Sequence, residues 1–527
     1  MGNWPSILVV DDEINNVKSL SRLLTLNNLS AITTTSGLGA LDIIRDKKVD
    51  LILMDIMMPQ LDGHQTCRLI SEIVPHTPII MMTALLDDAA MSNSFDSDAV
   101  DFIRKPINEL ELLTRIRNML QIKSAEKKIR DFNDEIIDDL QTAAGVQSFL
   151  LPDWLIVDNN FTISSIYEAA QMVSGDLYDV IKLNDNETVV YVGDISGHGV
   201  QSALLMSAVE AVIKMIVKSQ KQKISPQNIL DQLNSMVGAN LFHDKYMTLL
   251  IGVINSKSGT YEYFNAGHPP IIEVNKYTKK AKVIEDTGSI PIGWVSEIDY
   301  NSFEVNTIKL DQDCIYILYT DGLFECQNET GTMLGLDGLV SLIEGIPDSI
   351  NEINLPYIIK KALIEHNYII NTDDLTVLTL MRNPKPALLD RHVFQLSAIL
   401  KNVADIGSQC EELVLKSYDC AQLAAKVELI VNEFLNNVIL HGIDNDGHLR
   451  PKIYIELITA KDIQIKIWDK GRHWNLPDFV TEPQDLFAEV DVNQESGRGI
   501  NIIKTLTSKF EATHYQGLNE AQFTITV

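Results

Sequence analysis

Over the first 120 or so residues, short apolar runs alternate with stretches that read as helices. The runs are SILVV (6–10), DLILM (50–54), PIIMM (78–82) and AVDFI (99–103). That alternation predicts a parallel sheet wound with helices. From Glu109 to about Phe149 the pattern changes: there is no proline, and Gly145 is the one glycine. Ile122, Ala125, Ile129, Phe132, Ile136, Ala143 and Val146 keep a spacing close to the a and d positions of heptads, broken at Asp139. This predicts a long helix that either pairs with its twin or lies on its own domain. LLPD (150–153) ends it, because Pro152 disfavours helix at Leu151. Strands and turns dominate next, in YMTLLIGVI (246–254), GTYEYFNAGHPPIIEV (259–274), CIYILYTDG (314–322) and LTVLTL (375–380). MRNPKPAL (381–388) has two prolines and no periodicity, which marks a linker. A helix is predicted after it from His392 to Lys416, then the apolar helix NEFLNNVILHG (432–442), then the β-rich KIYIELIT, IQIKIWDKG and AQFTITV.

At 527 residues the chain exceeds one ordinary core, so several domains are expected. The formal charge of −29 argues against DNA or RNA as a partner, whose phosphates would be repelled. No run is read as approaching the ~20 apolar residues of a membrane span. The start MGNWPSILVV has neither a charged n-region nor a cleavage site, and Met1-Gly2 alone is too little for a myristoylation signal. The five cysteines (67, 314, 326, 410, 420) form no CxxC motif, so reduced thiols and a cytoplasmic location are expected.

In a wound parallel sheet, functional groups gather beyond the carboxyl ends of the strands. Those ends carry Asp11, Asp12, Asp55, Thr83 and Lys105. Converging carboxylates call for a divalent cation, with Asp55 as nucleophile for a phosphoryl group and Lys105 as a point charge. With Pro106 after Lys105, the pattern resembles the flavodoxin-like receiver domain of two-component response regulators over residues 1–121. The resemblance implies that Asp55 is the phosphoacceptor and that Asp11, Asp12, Asp55 and the Met57 carbonyl hold Mg²⁺. It also implies that Thr83 and Lys105 read the phosphate, that Phe102 is the switch aromatic, and that a histidine kinase or phosphotransfer protein is the donor. The helix that follows, 122–150, is expected to be a linker.

SGDLYD with Asp176, VGDISGHG with Asp194, YTDGLFE with Asp321 and NTDDLTVLTL with Asp373 and Asp374 stand far apart in the chain. Separated carboxylates at glycine-flanked strand ends suit two hard divalent cations with waters between them. Asp-Gly is also a common turn signal, but turn chemistry does not account for four such sites. Residues 151–384 resemble the metal-dependent PPM serine/threonine phosphatases of the SpoIIE/RsbU-like branch. That implies an α/β sandwich and two Mn²⁺ or Mg²⁺ ions, held by Asp176, Asp194, Asp321, Asp373 and the carbonyl of Ile195. Asp194 would bridge them. Ser174 stands where the family often has glycine, which removes no ligand. His198 and His268 are read as loop or supporting residues.

On NEFLNNVILHG, Glu433 and Asn437 share a helix face. DKG (469–471) and SGRGINIIK (496–504) follow, the second a Gly-x-Gly entering a helix. Such a turn lets backbone N–H groups approach phosphate. The order resembles the GHKL (Bergerat) ATPase fold, and within it the RsbW/SpoIIAB-like anti-sigma-factor serine kinases, over 388–527. It implies Glu433 as the kinase base, Asn437 as the Mg²⁺ ligand under ATP, Asp469 and Gly471 around adenine, and Gly497 and Gly499 beside the phosphates. His473 departs from the usual second glycine of DxGxG.

Together these resemblances imply a bifunctional, dimeric response regulator. It would dephosphorylate and phosphorylate one serine of a STAS-type anti-sigma-factor antagonist under control of Asp55, and so regulate a sigma factor. The alternative is that the last domain mainly sequesters a sigma factor.

Overall fold

A computed structural model describes residues 4–83, 101–219, 224–238, 245–295, 298–347, 349–383, 390–443, 452–473 and 498–527. The chain divides into two compact units, 1–139 and 140–527.

In the first unit, β1 (Ser6–Val10), β2 (Ser30–Thr34), β3 (Leu51–Asp55), β4 (Ile79–Thr83) and β5 (Asp101–Arg104) form a parallel sheet in the order β2-β1-β3-β4-β5. Helices α1 (Ile14–Leu26), α2 (Gly37–Asp46) and α3 (Gly63–Ile73) wind around it. Two apolar layers result, which is why β3 and β4 are buried at every position and read as unbroken apolar runs. β2 escaped that reading because it lies at the edge, with Ser30 and Thr33 exposed. Helix α4 runs from Glu109 to Leu150, so the last helix against the sheet and the linker are one element. Along it Ile122, Ile129, Phe132 and Ile136 are 41–61% exposed, an apolar stripe at heptad spacing.

The second unit begins with two antiparallel sheets. One comprises β8 (Leu177–Lys182), β9 (Glu187–Ile195), β10 (Met247–Asn255), β11 (Thr260–Ala266) and β14 (Asn306–Lys309). The other comprises β6 (Leu155–Val157), β7 (Phe161–Glu168), β12 (Ile272–Asn275), β13 (Ala281–Val283), β15 (Cys314–Tyr319) and β18 (Leu375–Arg382). The sheets share a core that includes Ile163, Val192, Tyr263 and Leu318. Helices α5 (Val200–Ser219) and α6 (Pro226–Leu233) pack on the first, α7 (Gly335–Glu344) and α8 (Leu355–Glu365) on the second, completing an α/β sandwich. A two-stranded ribbon, β16 (Gln327–Asn328) with β17 (Tyr368–Ile369), lies beside it. The run 259–274 is not one strand: it turns at Gly267, where φ is +70°, and gives β11 to one sheet and β12 to the other.

Contrary to the sequence reading, one helix among the described residues, α5, is long and apolar enough to cross a membrane by length and composition. Its apolar side, with Met206, Val209, Ile213 and Ile216, is buried in the core of the sandwich instead.

The remaining sheet has the order β19-β20-β21-β23-β22, all antiparallel, from β19 (Asp390–Ser397), β20 (Lys452–Thr459), β21 (Asp462–Asp469), β22 (Lys509–Tyr515) and β23 (Leu518–Thr526). Here the expected helix from His392 is corrected: 390–397 is an edge strand, and α9 occupies Val403–Tyr418. The sequence His392–Ser397 alternates in register with Leu457–Lys452, a period the helical reading overlooked. Helices α9, α10 (Ala421–Asn437) and α11 (Arg498–Leu506) cover one face. On the other face Tyr454, Trp468, Tyr515 and Leu518 join Leu155 and Tyr357 of the sandwich in one apolar cluster.

Candidate functional sites

At the carboxyl end of the parallel sheet, carboxylate oxygens of Asp11, Asp12 and Asp55 lie within 4.8 Å of one another. Asp11 and Asp55 are buried, Asp12 is exposed. Lys105 Nζ donates to Asp11 Oδ2 at 2.8 Å and pairs with Asp55 Oδ1 at 2.9 Å. Asp11 is aimed by Glu13 N and Asn16 Nδ2, which donate to it. Burial raises the Asp55 pKa above its ordinary value, with Lys105 opposing and Asp11 and Asp12 adding to the rise. All three donors are hard oxygens around one point, which fits a small divalent cation. Lys105 is held beside Thr83, whose carbonyl accepts its N–H at 2.7 Å. Gly63 is obligatory in the turn after Asp55, since a Cβ there would stand 2.2 Å from the Asp55 carbonyl. Met57 is exposed on that turn and Phe102 is half-buried against the core.

In the sandwich the acidic motifs converge from four strand ends. Asp176 precedes β8, Asp194 is the penultimate residue of β9, Asp321 follows β15, and Asp373 and Asp374 precede β18. Asp176 is 1% exposed, and its Oδ2 accepts from Thr320 Oγ1 at 2.8 Å and Thr376 Oγ1 at 2.6 Å. The two adjacent aspartates separate into different jobs. Buried Asp374 spends both oxygens on the loop before β8, accepting from Ala170 N at 2.8 Å and Gly175 N at 2.7 Å. Asp373 is exposed, with Oδ1 accepting from Asp374 N at 2.9 Å. Gly322 must lack a side chain, because its Cβ would meet the Asp374 carbonyl at 2.1 Å. The Ile195 carbonyl faces Gly175, 3.1 Å from where a Cβ would sit.

Burial, then repulsion from Asp321 and Asp373, pushes the Asp194 carboxyl up to about 8; burial and Asp373 push Asp321 up to about 6. Asp176 is raised well above the usual range by burial and Asp194. So many desolvated, mutually repelling carboxylates form a donor set that fits cations. Among the described residues, only the receiver carboxylates gather three within 4.8 Å of one another. His268 is buried and held neutral, its pKa lowered to about 3 by burial, with Nδ1 2.9 Å from Thr248 Oγ1. His198 is exposed beside Gln171. Sequence reasoning missed Thr320, Thr376 and Gln147. The last donates from Nε2 to Ser174 O at 2.9 Å and accepts from Ser174 N at 3.2 Å, bracing the Asp176 loop from helix α4. Residues that only brace a ligand carry no motif of their own.

A pH effect follows. Asp194 and Asp321 in the folded, metal-free state bind protons that an unfolded chain, with carboxyls near 3.8, has released. The contribution of these two groups to stability is therefore full below 3.8 and is lost progressively as pH rises, up to about 6 for Asp321 and about 8 for Asp194. In chelator, the melting temperature of the sandwich is expected to drop by about 5 °C between pH 5.5 and 8.5. Excess Mn²⁺ should reverse the drop, as scanning calorimetry would record.

In the last domain, α10 ends in a π-helical turn, Val438–Gly442. Glu433 Oε2 and Asn437 Nδ2 face Gly499, whose Cβ would stand 2.8 and 2.9 Å from them. Asp469, fully buried at the end of β21, accepts on Oδ1 from Gly471 N at 2.7 Å and from Asn519 Nδ2 at 2.9 Å. Among the described residues its Oδ2 is buried without a partner, which suits an amino-group donor such as that of adenine. Burial raises this carboxyl to about 6. Gly471 lies against the Gly442 carbonyl, leaving no room for a side chain. Asn519 was not marked by the sequence, since it is brought to Asp469 only by strand pairing. Gly497 lies outside the described residues.

Comparison with known families gives three matches in chain order. The response regulator receiver domain matches residues 7–117, stage II sporulation protein E (SpoIIE) 184–383, and the histidine kinase-like ATPase domain 388–525. Protein IcfG of Synechocystis is 26% identical over 270 residues, 46% of this chain and 42% of that one. Phosphoserine phosphatase RsbU of Bacillus subtilis is 28% identical over 217 residues, 41% of this chain and 62% of that one. The chain thus spans about half the length of these relatives. A crystal structure of the RsbU and RsbW domains of a Mycobacterium tuberculosis protein aligns over 71% of this chain and 94% of that one, at 21% identity and a TM-score of 0.38. This chain therefore carries, in order, a response regulator receiver domain, a SpoIIE-type PPM phosphatase domain and a histidine kinase-like ATPase domain.

Proposed function

We propose that the chain is a cytoplasmic response regulator that removes and adds phosphate on one serine of a STAS-type anti-sigma-factor antagonist, under control of Asp55. The observation that carries this reading is the coexistence on one chain of a desolvated carboxylate site and a nucleotide-type site behind a single receiver. Asp176, Asp194, Asp321, Asp373 and the Ile195 carbonyl would hold two Mn²⁺ or Mg²⁺ ions, with Asp194 shared. Such a pair supplies a water acidic enough to attack phosphorus in line. The chain's own part is to fix the carboxylates, with Thr320 and Thr376 on Asp176 and Asp374 on the Ala170–Gly175 loop.

In the ATPase domain, Asp469 and Gly471 would take adenine, Gly497 and Gly499 would border the phosphates, and Asn437 would ligate Mg²⁺. Glu433 would accept the proton of the attacking serine hydroxyl as its oxygen bonds to the γ-phosphorus and ADP leaves. In the receiver, Asp11, Asp12, Asp55 and the Met57 carbonyl would hold Mg²⁺. Thr83 and Lys105 would read a phosphate delivered to Asp55 by a histidine kinase or phosphotransfer protein. Exposed Ile122, Ile129, Phe132 and Ile136 on α4 favour a homodimer through paired helices.

Phospho-Asp55 is read as favouring the phosphatase. With the antagonist and labelled ATP, a small-molecule phosphodonor should lower the steady-state label on the antagonist. Asp55→Ala should abolish that response while leaving both basal rates intact. A change in label with the donor in Asp55→Ala would remove the receiver from the control path. A chain that binds a sigma factor but never labels the antagonist would favour the sequestering module instead.

A further inference from the structure

The face of the ATPase sheet not covered by helices is sealed against the phosphatase sandwich. Lys470, the residue directly after Asp469, lies half-buried at that seam. Its ammonium lies 5.2 Å from the ring centres of both Trp154 and Tyr357, and Nζ donates to the Ser165 carbonyl at 3.3 Å. Among the described residues no carboxylate lies within ion-pair distance of it, and Glu168 acts only at longer range. Burial pushes its pKa down to about 7. A lysine in such a place is costly, and an apolar residue of similar length would suit stability better. What it gains is a directed contact: aromatic faces for the cation and one carbonyl for its proton.

That carbonyl is a junction. Ser165 O also accepts from Tyr357 OH at 2.9 Å, and Ser165 Oγ donates to Tyr178 OH at 3.0 Å. Tyr178 is two residues beyond Asp176 on β8. Ser165 itself pairs with Leu378 on β18, the strand that Asp373 and Asp374 lead into. A contiguous set of contacts therefore joins the buried aspartate of the ATPase site to two carboxylate loops of the phosphatase, through Lys470, Ser165 and Tyr178. Gly471 N and Asn519 hold Asp469 from the far side, so a ligand taken up on Asp469 Oδ2 bears directly on the strand end that aims Lys470.

We propose that the adenine-nucleotide site is also an effector site of the phosphatase, acting through Lys470 on Ser165. This rests on the reading of Asp469 as an adenine contact. A coupling of this kind is reciprocal in binding free energy, so loading the phosphatase site shifts nucleotide affinity by the same factor.

The test uses the full chain with free Mn²⁺ held constant and p-nitrophenyl phosphate as substrate, with and without saturating ADP, which lacks the γ-phosphoryl group that would go to the serine. A fluorescent ADP analogue reports binding separately. ADP is expected to change kcat/KM about fivefold or more, within the usual range of coupling between sites. Lys470→Met should keep the nucleotide-free rate and the ADP affinity within about twofold while losing the response. Ser165→Ala, which keeps the carbonyl but drops the hydroxyl to Tyr178, should weaken the response and covers the case in which Lys470→Met does not fold. A wild-type chain that binds ADP yet hydrolyses at one rate with and without it overturns the coupling, as does a Lys470→Met chain that still responds. A chain that does not bind the analogue overturns the nucleotide reading itself, and the coupling with it.

Discussion

Asp194→Asn is expected to lower phosphoserine hydrolysis by about 10³-fold, equivalent to ~4 kcal/mol of transition-state stabilisation. Asp194 is the carboxylate on which the others converge: burial raises it most, and Asp321, Asp373 and Asp374 each add to the rise. A group so placed is the natural shared ligand of two cations, and removing its charge weakens both. The same change has an opposite effect without metal. One repelling carboxylate is gone, so in chelator at pH 8 the variant should melt above the wild type. Asp374→Asn is the informative contrast. Its two oxygens hold Ala170 N and Gly175 N, and an amide offers one acceptor oxygen where the carboxylate offers two. That variant should lose stability in chelator as well as activity. If phosphate release from the antagonist persists in Asp194→Asn, the bridging assignment is wrong.

The readable parts of this chain were those whose physics is local in sequence. Buried parallel strands show as apolar runs, so β1, β3 and β4 were visible, while edge strand β2, with polar residues on its open positions, was not. Glycines forced by close approach, such as Gly322 against Asp374 and Gly471 against Gly442, kept their motifs recognisable. Edge strand β19 was mistaken for helix because its alternation, with Val393 and Gln395 flanking Phe394, is short and rich in polar residues. The apolar helix α5 was passed over because Glu210 and Lys214 interrupt it, yet these pair with each other at 2.9 Å. Braces were illegible for a different reason. Thr320, Thr376, Gln147 and Asn519 act on residues 144, 200, 27 and 50 positions away, and no local pattern encodes such a distance. The seam at Lys470 belongs to the same class, since the carbonyl it donates to, that of Ser165, lies 305 residues upstream.

Glu433→Gln is expected to reduce transfer of phosphate to the antagonist by about 10²- to 10⁴-fold, the range for loss of a positioned general base. The substitution keeps the shape of the side chain on α10, so folding and nucleotide affinity should hold within a few-fold. Geometry sets the expectation: Glu433 Oε2 and Asn437 Nδ2 converge on Gly499 from one helix face, where a carboxylate and an amide can divide proton and metal between them. Asn437→Ala should therefore differ in kind, weakening the Mg²⁺-dependent part of nucleotide binding along with the rate. Gly499→Ala should impair both, because its methyl would press on both side chains at under 3 Å. Label from ATP should be absent on the antagonist with Glu433→Gln even when Asp194→Asn removes the opposing phosphatase. That double variant separates slow transfer from fast removal. Undiminished labelling would place the base elsewhere; labelling absent even from Asp194→Asn alone would leave the last domain as a binding module.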